Sequence, residues 1–269
     1  MELGSYLQPE PRELFIEHLN NNVRGDKREL LQFRQIRLVT GSILAANGSA
    51  KASIGQTEVI CGIKAELTKP AAAEPKKGFI VCNVDLPPLC SPKFKPGPPS
   101  DQAQVATKFL DNLVKSSNLI DLEELSIEVD KLVWVLYCDI ICINYDGNLL
   151  DACVLALVSA LQNTQLPIVT MDTDEVVRTN TEESKTLTIN SYPVACSFTY
   201  LNDYMICDPT LLEEDLTSGR LTIVTDENAK LIYVEKPGGN AVTQTQLSAC
   251  IKEAVNHGAI MRKKFCQSS

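Results

Sequence analysis

The stretch from Tyr145 to Asn163 is a short loop with one glycine that runs directly into an apolar, helix-like segment. A loop that leads into a helix N-terminus can bind phosphate, because free backbone N–H groups and the helix dipole both favour an anion there. The loop and the first turn carry no Arg, Lys, Ser or Thr, and they supply two carboxylates, Asp146 and Asp151. A free phosphate needs a cation and several donors to offset its lost hydration. The sequence therefore predicts an anion-site geometry without the side chains to hold phosphate. Asp151 is interpreted as complementing the helix N-terminus, worth roughly 0.3–1 kcal/mol.

A second group with possible chemistry is Lys93, Phe94 and Lys95, which lies in a segment from 84 to 100 that holds six prolines. A basic pair with an aromatic residue between its members can follow single-stranded nucleic acid by charge and stacking. A long proline-rich loop inside a domain is usually either functional or disordered. Two interpretations stay open: an RNA-binding loop, or a solvated loop in which Phe94 packs locally.

No metal site and no cofactor are predicted. The ten cysteines include no CxxC pair, and the two histidines, His18 and His257, lie far from any cysteine cluster, which argues against zinc. The cysteines lie mostly in apolar patterns, so reduced, buried thiols and an intracellular compartment are favoured. The acidic run of Asp172, Asp174 and Glu175 could bind a cation, but a solvated connection is the favoured interpretation.

Composition limits the function. The net charge is -9, whereas a nucleic-acid binder is usually basic because phosphate contacts supply much of its affinity. Any RNA binding must therefore use a local patch or the charge of neighbouring proteins. No apolar run approaches ~18–20 residues, so no membrane span is expected. The first residues lack the basic start and apolar core of a signal peptide.

Hydrophobic patterning predicts the elements that position these residues. A short amphipathic helix is expected over residues 11–22, and a three-stranded antiparallel meander over 34–67 with its hairpin signal at Asn47-Gly48. After the proline-rich segment a helix is expected from Asp101, with Val105 and Phe109 among its spaced apolar residues.

The middle of the chain predicts a strand followed by a helix. Residues 131–143 form a near-continuous apolar run, typical of a central strand that is covered on both faces. The helix that follows the glycine loop is expected over residues 149–162.

The remaining sequence predicts a second lobe. Residues 171–185 are polar and acidic and are interpreted as a connection between lobes. Strands are expected near 187–190, 194–200, 204–208, 221–225 and 230–235, and a final helix over 243–265. The fold class is α+β, with two lobes of mostly antiparallel sheet and helices packed on one side. The first lobe is assigned to residues 24–170 and the second to residues 186–266.

Several segments together resemble the RNase PH family. VRGDKRELLQFRQIRL resembles the family's opening, in which Arg24, Asp26 and Arg28 precede the first strand, and GSAKASIGQTEVICGIKAE resembles its first hairpin. VDLPPLCSPKFKPGPP and KLVWVLYCDIICINYDGNLLDA are similar to the non-catalytic ring subunits of the eukaryotic RNA exosome. The resemblance spans about residues 24–265 and implies an RNase PH-like fold.

Active members of this family cleave RNA from its 3′ end with inorganic phosphate as the nucleophile. In them the strand-to-helix loop holds the phosphate with glycine, a hydroxyl residue and an arginine. In this chain Asp146 and Gly147 remain, and Asn148 stands at the second glycine, Leu149 at the hydroxyl residue and Leu150 at the arginine. The resemblance therefore implies that the phosphate-binding half of the site is lost.

The other half of the site also departs from the family. Active members carry two aspartates six residues apart that serve the leaving oxygen, and the matching positions here are Glu214 and Arg220. A register shift of one residue would place Asp215 at the first position and still leave no acid at the second. Thr107 and Asp111 stand near the family's phosphate-side arginine of the preceding helix. A metal or acid role for the Arg220 position therefore fails.

The resemblance implies a catalytically inactive ring subunit of the RNA exosome. It would be a scaffold in a six-membered hetero-oligomeric ring with RNA-binding cap subunits, and would reach RNA through the assembled complex in rRNA processing and mRNA decay. It would have no membrane contact and would occur in the nucleus, nucleolus and cytoplasm. No catalytic residue is assigned, and Lys93, Phe94 and Lys95 are the RNA-binding candidates. Two alternatives stay open, an active phosphorolytic 3′-to-5′ exoribonuclease and an acidic adaptor without an RNA role.

Overall fold

The computed structural model describes residues 15–16, 19–21, 23–171, 177–201, 204–217 and 219–265. Within these residues the strands form a six-stranded, a four-stranded and a two-stranded sheet, with helices packed against the two larger ones. The α+β class with mostly antiparallel sheets is confirmed. The lobe boundaries at 24–170 and 186–266 stay predictions. The expected N-terminal helix over 11–22 lies largely outside the described residues, although Phe15 and Leu19 are helical and buried against Leu201 and Ile206.

The first sheet has the order β1-β2-β3-β6-β4, with β5 paired to β6, and every pairing is antiparallel except that of β4 with β6. Its strands are β1 (Ile36–Thr40), β2 (Gly48–Ile54), β3 (Thr57–Thr68), β4 (Phe79–Asp85), β5 (Ser126–Glu128) and β6 (Leu132–Asn144). The meander over 34–67 is confirmed.

The strands on either side of Asn47-Gly48, β1 and β2, do pair as an antiparallel hairpin, but the pair is not a two-residue turn: the chain between the strands spans residues 41–47, and Gly48 already belongs to β2. The N–H of Asn47 donates to the carbonyl of Ile63 on β3 at 2.8 Å. Gly48 is glycine for another reason, because a Cβ there would lie 2.1 Å from the side-chain oxygen of Thr164. The glycine therefore allows a close approach between β2 and the end of the central helix.

The second sheet has the order β10-β9-β11-β12 and is antiparallel throughout. Its strands are β9 (Val194–Leu201), β10 (Tyr204–Cys207), β11 (Arg220–Thr225) and β12 (Leu231–Glu235). These match four of the five strands expected in the second lobe. The fifth, near 187–190, is wrong, because that segment contributes only an isolated bridge between Ile189 and Ile120.

The segment interpreted as a solvated connection is largely a hairpin. β7 (Gln165–Met171) pairs with β8 (Val177–Thr186) as a separate two-stranded sheet. Polar residues at both faces of β8 gave no alternating apolar pattern, so the sequence carried no strand signal. The proposed cation run of Asp172, Asp174 and Glu175 lies outside the described residues.

The helices are α1 (Asp101–Ser117), α2 (Leu149–Gln162), α3 (Leu211–Leu216) and α4 (Gln244–Phe265), with a 3₁₀ turn at Leu122–Leu125. The helix expected over 149–162 is confirmed, and all its residues from 149 to 161 are buried because α2 packs on β2 and β3 of one sheet and β9 of the other. The helix expected from Asp101 is present as α1, and of its spaced apolar residues Phe109 is buried while Val105 is 39% exposed.

Strand β6 is covered on both faces only at its start. Residues 133–136 are all buried, but beyond them burial alternates, and Tyr137, Ile141 and Ile143 are 37–39% exposed. The helices cover only one face of this sheet along its second half. The prediction of a doubly covered strand is therefore half correct, and a sheet face of mixed apolar and charged side chains stays open.

Candidate active site

The loop between β6 and α2 is held in a fixed, left-handed shape. Gly147 has φ +74° and Asn148 has φ +52°. A Cβ at Gly147 would lie 2.5 Å from the carbonyl carbon of Thr210, so only glycine allows this contact with the segment before α3. The hydroxyl of Thr57 donates to the Gly147 carbonyl at 2.6 Å and accepts from the N–H of Asp146 at 3.1 Å. The loop therefore presents a backbone donor at the start of α2 with little freedom to move.

The anion at this donor is a carboxylate of the chain itself. The N–H of Asn148 donates to Oε1 of Glu214 at 2.8 Å, and the hydroxyl of Tyr145 donates to Oε2 at 2.9 Å. Arg220 Nη1 lies 3.3 Å from Oε1 of the same carboxylate. The two residues matched to the family's aspartates, Glu214 and Arg220, are therefore paired with each other. Glu214 therefore accepts the backbone hydrogen bond at the start of α2.

A second carboxylate, Asp208, reaches the same loop from the interior. Its Oδ1 accepts from the side-chain amide of Asn148 at 2.6 Å, and its two oxygens are bound by Arg34 at 2.8 and 2.9 Å and by Arg28 at 2.9 Å. Burial by itself would raise the pKa of Asp208, but the hydrogen bonds and charge of Arg34 and the amide of Asn148 hold it below its ordinary value. Asp208 is therefore a buried, ionised anchor.

The arginines of the opening motif are structural. Arg24 is fully buried, binds both carboxylate oxygens of Glu213, and donates to the carbonyls of Cys207 and Asp208 at 2.7 and 2.9 Å. Arg28 pairs with Asp26 at 2.6 Å as well as with Asp208. These side chains fasten the segment between β10 and α3 and do not face the donor at Asn148.

Asp151 lies in the first turn of α2, as expected, but its main partner comes from the second sheet. Its oxygens accept from the N–H and the hydroxyl of Ser197 at 2.9 and 2.8 Å. Burial raises the pKa of Asp151 to about 6, although the Ser197 bonds oppose that rise. The side chain therefore links the central helix to β9, a contact that no local sequence pattern predicts.

The positions matched to the family's phosphate ligands point elsewhere. Leu149 and Leu150 are each 1% exposed and belong to the apolar core. The hydroxyl of Thr107 accepts from the N–H of Val84 at 3.0 Å, and Asp111 lines a separate hollow beside it. None of these four side chains lines the pocket at Glu214.

That pocket has a volume of about 300 Å³ and is balanced in charge. Lys93 pairs with Asp215 at 3.1 Å, and Arg220 pairs with Glu214. Gln102 donates to the hydroxyl of Tyr145 at 2.7 Å. Burial and the nearby Glu214 carboxylate raise the pKa of Tyr145 well above its ordinary value. Each cation that lines the pocket therefore already has a carboxylate partner.

The three RNA-binding candidates differ in accessibility. Phe94 is 7% exposed and its ring meets that of Tyr145 edge-on, with centroids 5.4 Å apart. Lys93 and Lys95 are exposed. RNA binding by this segment stays a prediction, and in this conformation it rests on the two lysines, because the aromatic ring is not available for stacking.

Sequence reasoning missed Asp208, Arg34, Tyr145 and Gln102. Asp208 follows an apolar strand and precedes a proline, and its φ of +47° is one that Asp tolerates better than most residues. The sequence Cys207-Asp208-Pro209 therefore carries a turn signal that could have pointed to Asp208. Arg34 lies within the quoted opening segment but is 174 residues from Asp208, so nothing local connected them.

No group of three or more His, Cys, Asp or Glu suited to a metal occurs in the described part of the chain. The nine cysteines that the structure describes are free and buried, as expected, and burial raises the pKa of Cys61 well above its ordinary value. Among the described helices none is long and apolar enough to cross a bilayer.

Comparisons with known proteins agree with this architecture. The model of the 3′ exoribonuclease family matches residues 32–167 with its domain 1 and residues 191–257 with its domain 2. Exosome complex component rrp43 of Schizosaccharomyces pombe is 40% identical over 244 residues, which cover 90% of this chain and 90% of that protein. Exosome complex component Rrp42 of Methanothermobacter thermautotrophicus is 35% identical and covers 91% and 90%. The Archaeoglobus fulgidus exosome with RNA bound to the active site has a similar chain, with a TM-score of 0.86, 30% identity and coverage of 94% and 97%.

Proposed function

Because this chain belongs to the RNase PH type of 3′ exoribonuclease family, we propose that it is a catalytically inactive ring subunit of an RNA exosome. Its role is to scaffold the ring and to help form the channel for 3′-to-5′ RNA processing and degradation. The observation that carries the inactivity is the Glu214 carboxylate on the N–H of Asn148. By the family resemblance, that donor loop is where an attacking phosphate would have to bind.

Electrostatics supports the loss of phosphate binding. A phosphate that entered here would meet the charge of Glu214, and like charges at short range repel strongly where water is scarce. The positive charge of Arg220 is already offset by Glu214 at 3.3 Å. The residues that would serve the leaving oxygen are also incomplete, since Arg220 stands where the family resemblance places the second aspartate. Both halves of the chemistry are therefore missing.

The open sheet face supports a scaffold role. Val81 of β4 and Tyr137, Ile141 and Ile143 of β6 are 37–43% exposed on the first sheet, with the exposed Asp139 between Tyr137 and Ile141. An uncovered sheet face with several large exposed apolar side chains is a candidate protein interface. With a net charge of -9, the chain can also dock against more basic neighbours, which then grip the RNA.

Catalytic silence is tested on the full chain with a 3′-labelled RNA and inorganic phosphate. We expect no release of nucleoside diphosphates from wild type, and none from Leu150→Arg or Arg220→Asp alone, because each variant restores only one half of the site. Phosphate-dependent release that scales with the protein, and that changes in a Glu214→Gln variant, would overturn the proposal. The second condition separates activity of this chain from a contaminating nuclease.

The scaffold role is tested by co-expression with a related ring subunit. We expect the isolated chain to self-associate and the pair to form a one-to-one heterodimer, measured by size exclusion with light scattering. Ile141→Asp on the open face should weaken the pair. The control Leu231→Asp changes a side chain of similar exposure, 41%, on the other sheet. A well-behaved monomer that ignores such partners would revive the adaptor alternative.

For location we propose the nucleus, the nucleolus and the cytoplasm. Support comes from the family and from the nine described cysteines, which are free and buried. Fluorescence imaging of a tagged chain at native expression level checks this distribution.

A further inference from the structure

A hollow of about 260 Å³ lies on the open face of the first sheet, beside the connection between β1 and β2. Gly62, in the middle of β3, lines it, together with Ile60 and Ile141, which are register partners on β3 and β6. A glycine inside a strand often marks a place where another chain approaches closely. Because Ile141 is 39% exposed, the apolar lining is accessible to a side chain from outside.

The connection between β1 and β2, residues 41–47, folds over this face. The N–H of Ile43 donates to the hydroxyl of Ser49 at 2.9 Å, and a Cβ at Gly62 would lie 3.4 Å from Cδ1 of Ile43. Ser49 and Gly62 are register partners on β2 and β3, so two small residues make room for the connection on the sheet. The connection therefore forms one wall of the hollow.

A fully exposed leucine stands at the tip of the same connection. The N–H of Ala46 donates to the carbonyl of Ile43 at 3.3 Å, which closes a turn with Leu44 and Ala45 at its centre. Ala45 and Ala46 line the hollow, whereas Leu44 is 99% exposed. An apolar side chain in this position gains free energy from any contact that removes it from water. The open face therefore carries a projecting apolar side chain next to an apolar recess.

The rim of the hollow carries two opposite charges. Lys64 of β3 and Asp139 of β6 both line it and are exposed. Lys64 Nζ lies 2.7 Å from Oε1 of Glu66, and these two side chains are 71% and 47% exposed. Asp139 accepts from the side-chain amide of Asn83 at 3.3 Å. Exposed contacts of this kind contribute little stability, so both charged groups can exchange partners when another molecule binds.

We propose that this face binds a second copy of the chain about a two-fold axis, with Leu44 of each copy in the Gly62 hollow of the other. A two-fold interface uses the same patch on both partners, so it needs a projection and a recess side by side, and this face has both. With the axis beside the hollow, Lys64 of one copy faces Asp139 of the other, so the charges are complementary as well. A cavity of about 150 Å³ holds a benzene ring, so the hollow has room for a leucine side chain. The pairing rests on the proposed function only in treating the open face as an assembly surface.

The test is sedimentation equilibrium of the full chain alone, over a range of protein concentrations. Salt at about 0.15 M screens the net charge of -9 on each copy beyond about 8 Å. We expect a monomer–dimer equilibrium in wild type. Leu44→Asp and Gly62→Leu should each raise the dissociation constant of the dimer about tenfold or more, because one removes the projecting side chain and the other fills the recess. Leu89→Asp is the matched control, since Leu89 is 84% exposed in the proline-rich segment, and thermal melting checks that each variant is folded.

Exchange of the rim charges tests the two-fold arrangement separately from the apolar contact. Lys64→Asp and Asp139→Lys should each weaken self-association, because each variant places like charges across the axis. An equimolar mixture of the two variants should associate more tightly than either alone, since one copy then supplies two carboxylates and the other two lysines. A monomeric wild type, a dimer unchanged in both Leu44→Asp and Gly62→Leu, or a mixture no tighter than its components would overturn the proposal. A monomeric wild type that still forms a one-to-one pair with a ring subunit would overturn the self-pairing and leave the scaffold role standing.

Discussion

Two of the carboxylates that bond Asn148 are held by the fold in different ways. Asp208 accepts from its side-chain amide, is fully buried, and is paired with Arg28 and Arg34. Glu214 accepts from its backbone N–H, lines a pocket, and is paired with Arg220 at the longer distance of 3.3 Å. The inner carboxylate joins three separate parts of the chain, whereas the outer one faces a pocket at the donor loop. We therefore expect the stability of the fold to depend more on the fully buried Asp208 than on Glu214.

The largest effect is expected at the inner carboxylate. Asp208→Asn keeps the shape but removes the buried carboxylate that Arg28 and Arg34 share, which leaves each arginine with only a more exposed partner, Asp26 or Asp146. Removing one member of a buried ion pair typically costs about 3–5 kcal/mol. Chemical unfolding of wild type and variant measures the free energy of unfolding. A loss below about 1 kcal/mol would show that the inner cluster is not the anchor that its contacts indicate.

Asp151 should produce the next largest effect, as a dependence of stability on pH. Its pKa is about 6 in the folded chain against an ordinary 3.8, so the folded state holds the proton more tightly. Its contribution is therefore fully present below about pH 4 and is lost as pH rises through about 6, a change of up to about 3 kcal/mol. Asp208, with a lowered pKa, acts in the opposite direction and below pH 4.

The measurement compares wild type with Asp151→Asn at pH 4.5 and pH 7. Since the other titratable groups are the same in both proteins, the pH dependence of the difference between their free energies of unfolding reports the titration of Asp151. We expect the free energy of unfolding of wild type, relative to that of Asp151→Asn, to be larger at pH 4.5 than at pH 7. A difference that stays constant, or that reverses, would contradict a raised pKa at Asp151.

Gly147→Ala tests the loop that separates the two carboxylates. A Cβ would meet the backbone of the Thr210–Leu211 segment at 2.5–2.6 Å, and the φ of +74° disfavours any L side chain. Strain of this kind costs on the order of 1–3 kcal/mol. Thermal unfolding checks it, with Gly97→Ala as control, since Gly97 also has positive φ but no atom lies within 4 Å of its added Cβ. Equal losses would mean that the backbone angle alone matters, not the contact.

How much of this was predictable depends on whether the signal is local. The helix Leu149–Gln162 could be placed from its sequence, because a glycine loop followed by an unbroken apolar run marks its start and its buried character. Glu214 and Arg220 were located through the family resemblance. Their pairing with the loop was not predictable, since Asn148 and Glu214 are 66 residues apart and their contact depends on how the two sheets pack.

The missed elements share a physical reason. β8 forms only a two-stranded hairpin and needs no apolar face, so its polar sequence looked like a linker. The Asn47-Gly48 pair carried a genuine turn signature, but Gly48 is small because Thr164 packs against it. In both cases tertiary packing, which a single sequence does not display, outweighed the local pattern.

The smallest effect is expected at Glu214, and it completes the comparison. In Glu214→Gln the amide oxygen can still accept from the N–H of Asn148. The variant loses the attraction to Arg220 and the acceptor for the hydroxyl of Tyr145, because an amide NH₂ replaces that carboxylate oxygen. Because the Arg220–Glu214 contact is long, at 3.3 Å, and the amide keeps the bond from Asn148, we expect a loss of about 1–2 kcal/mol in the free energy of unfolding. The same unfolding experiment as for Asp208→Asn measures it, and the ratio of the two losses is the informative quantity. If Glu214→Gln cost as much as Asp208→Asn, the outer carboxylate would be an anchor in its own right. Its place in the donor loop would then reflect folding and would say nothing about lost phosphate chemistry.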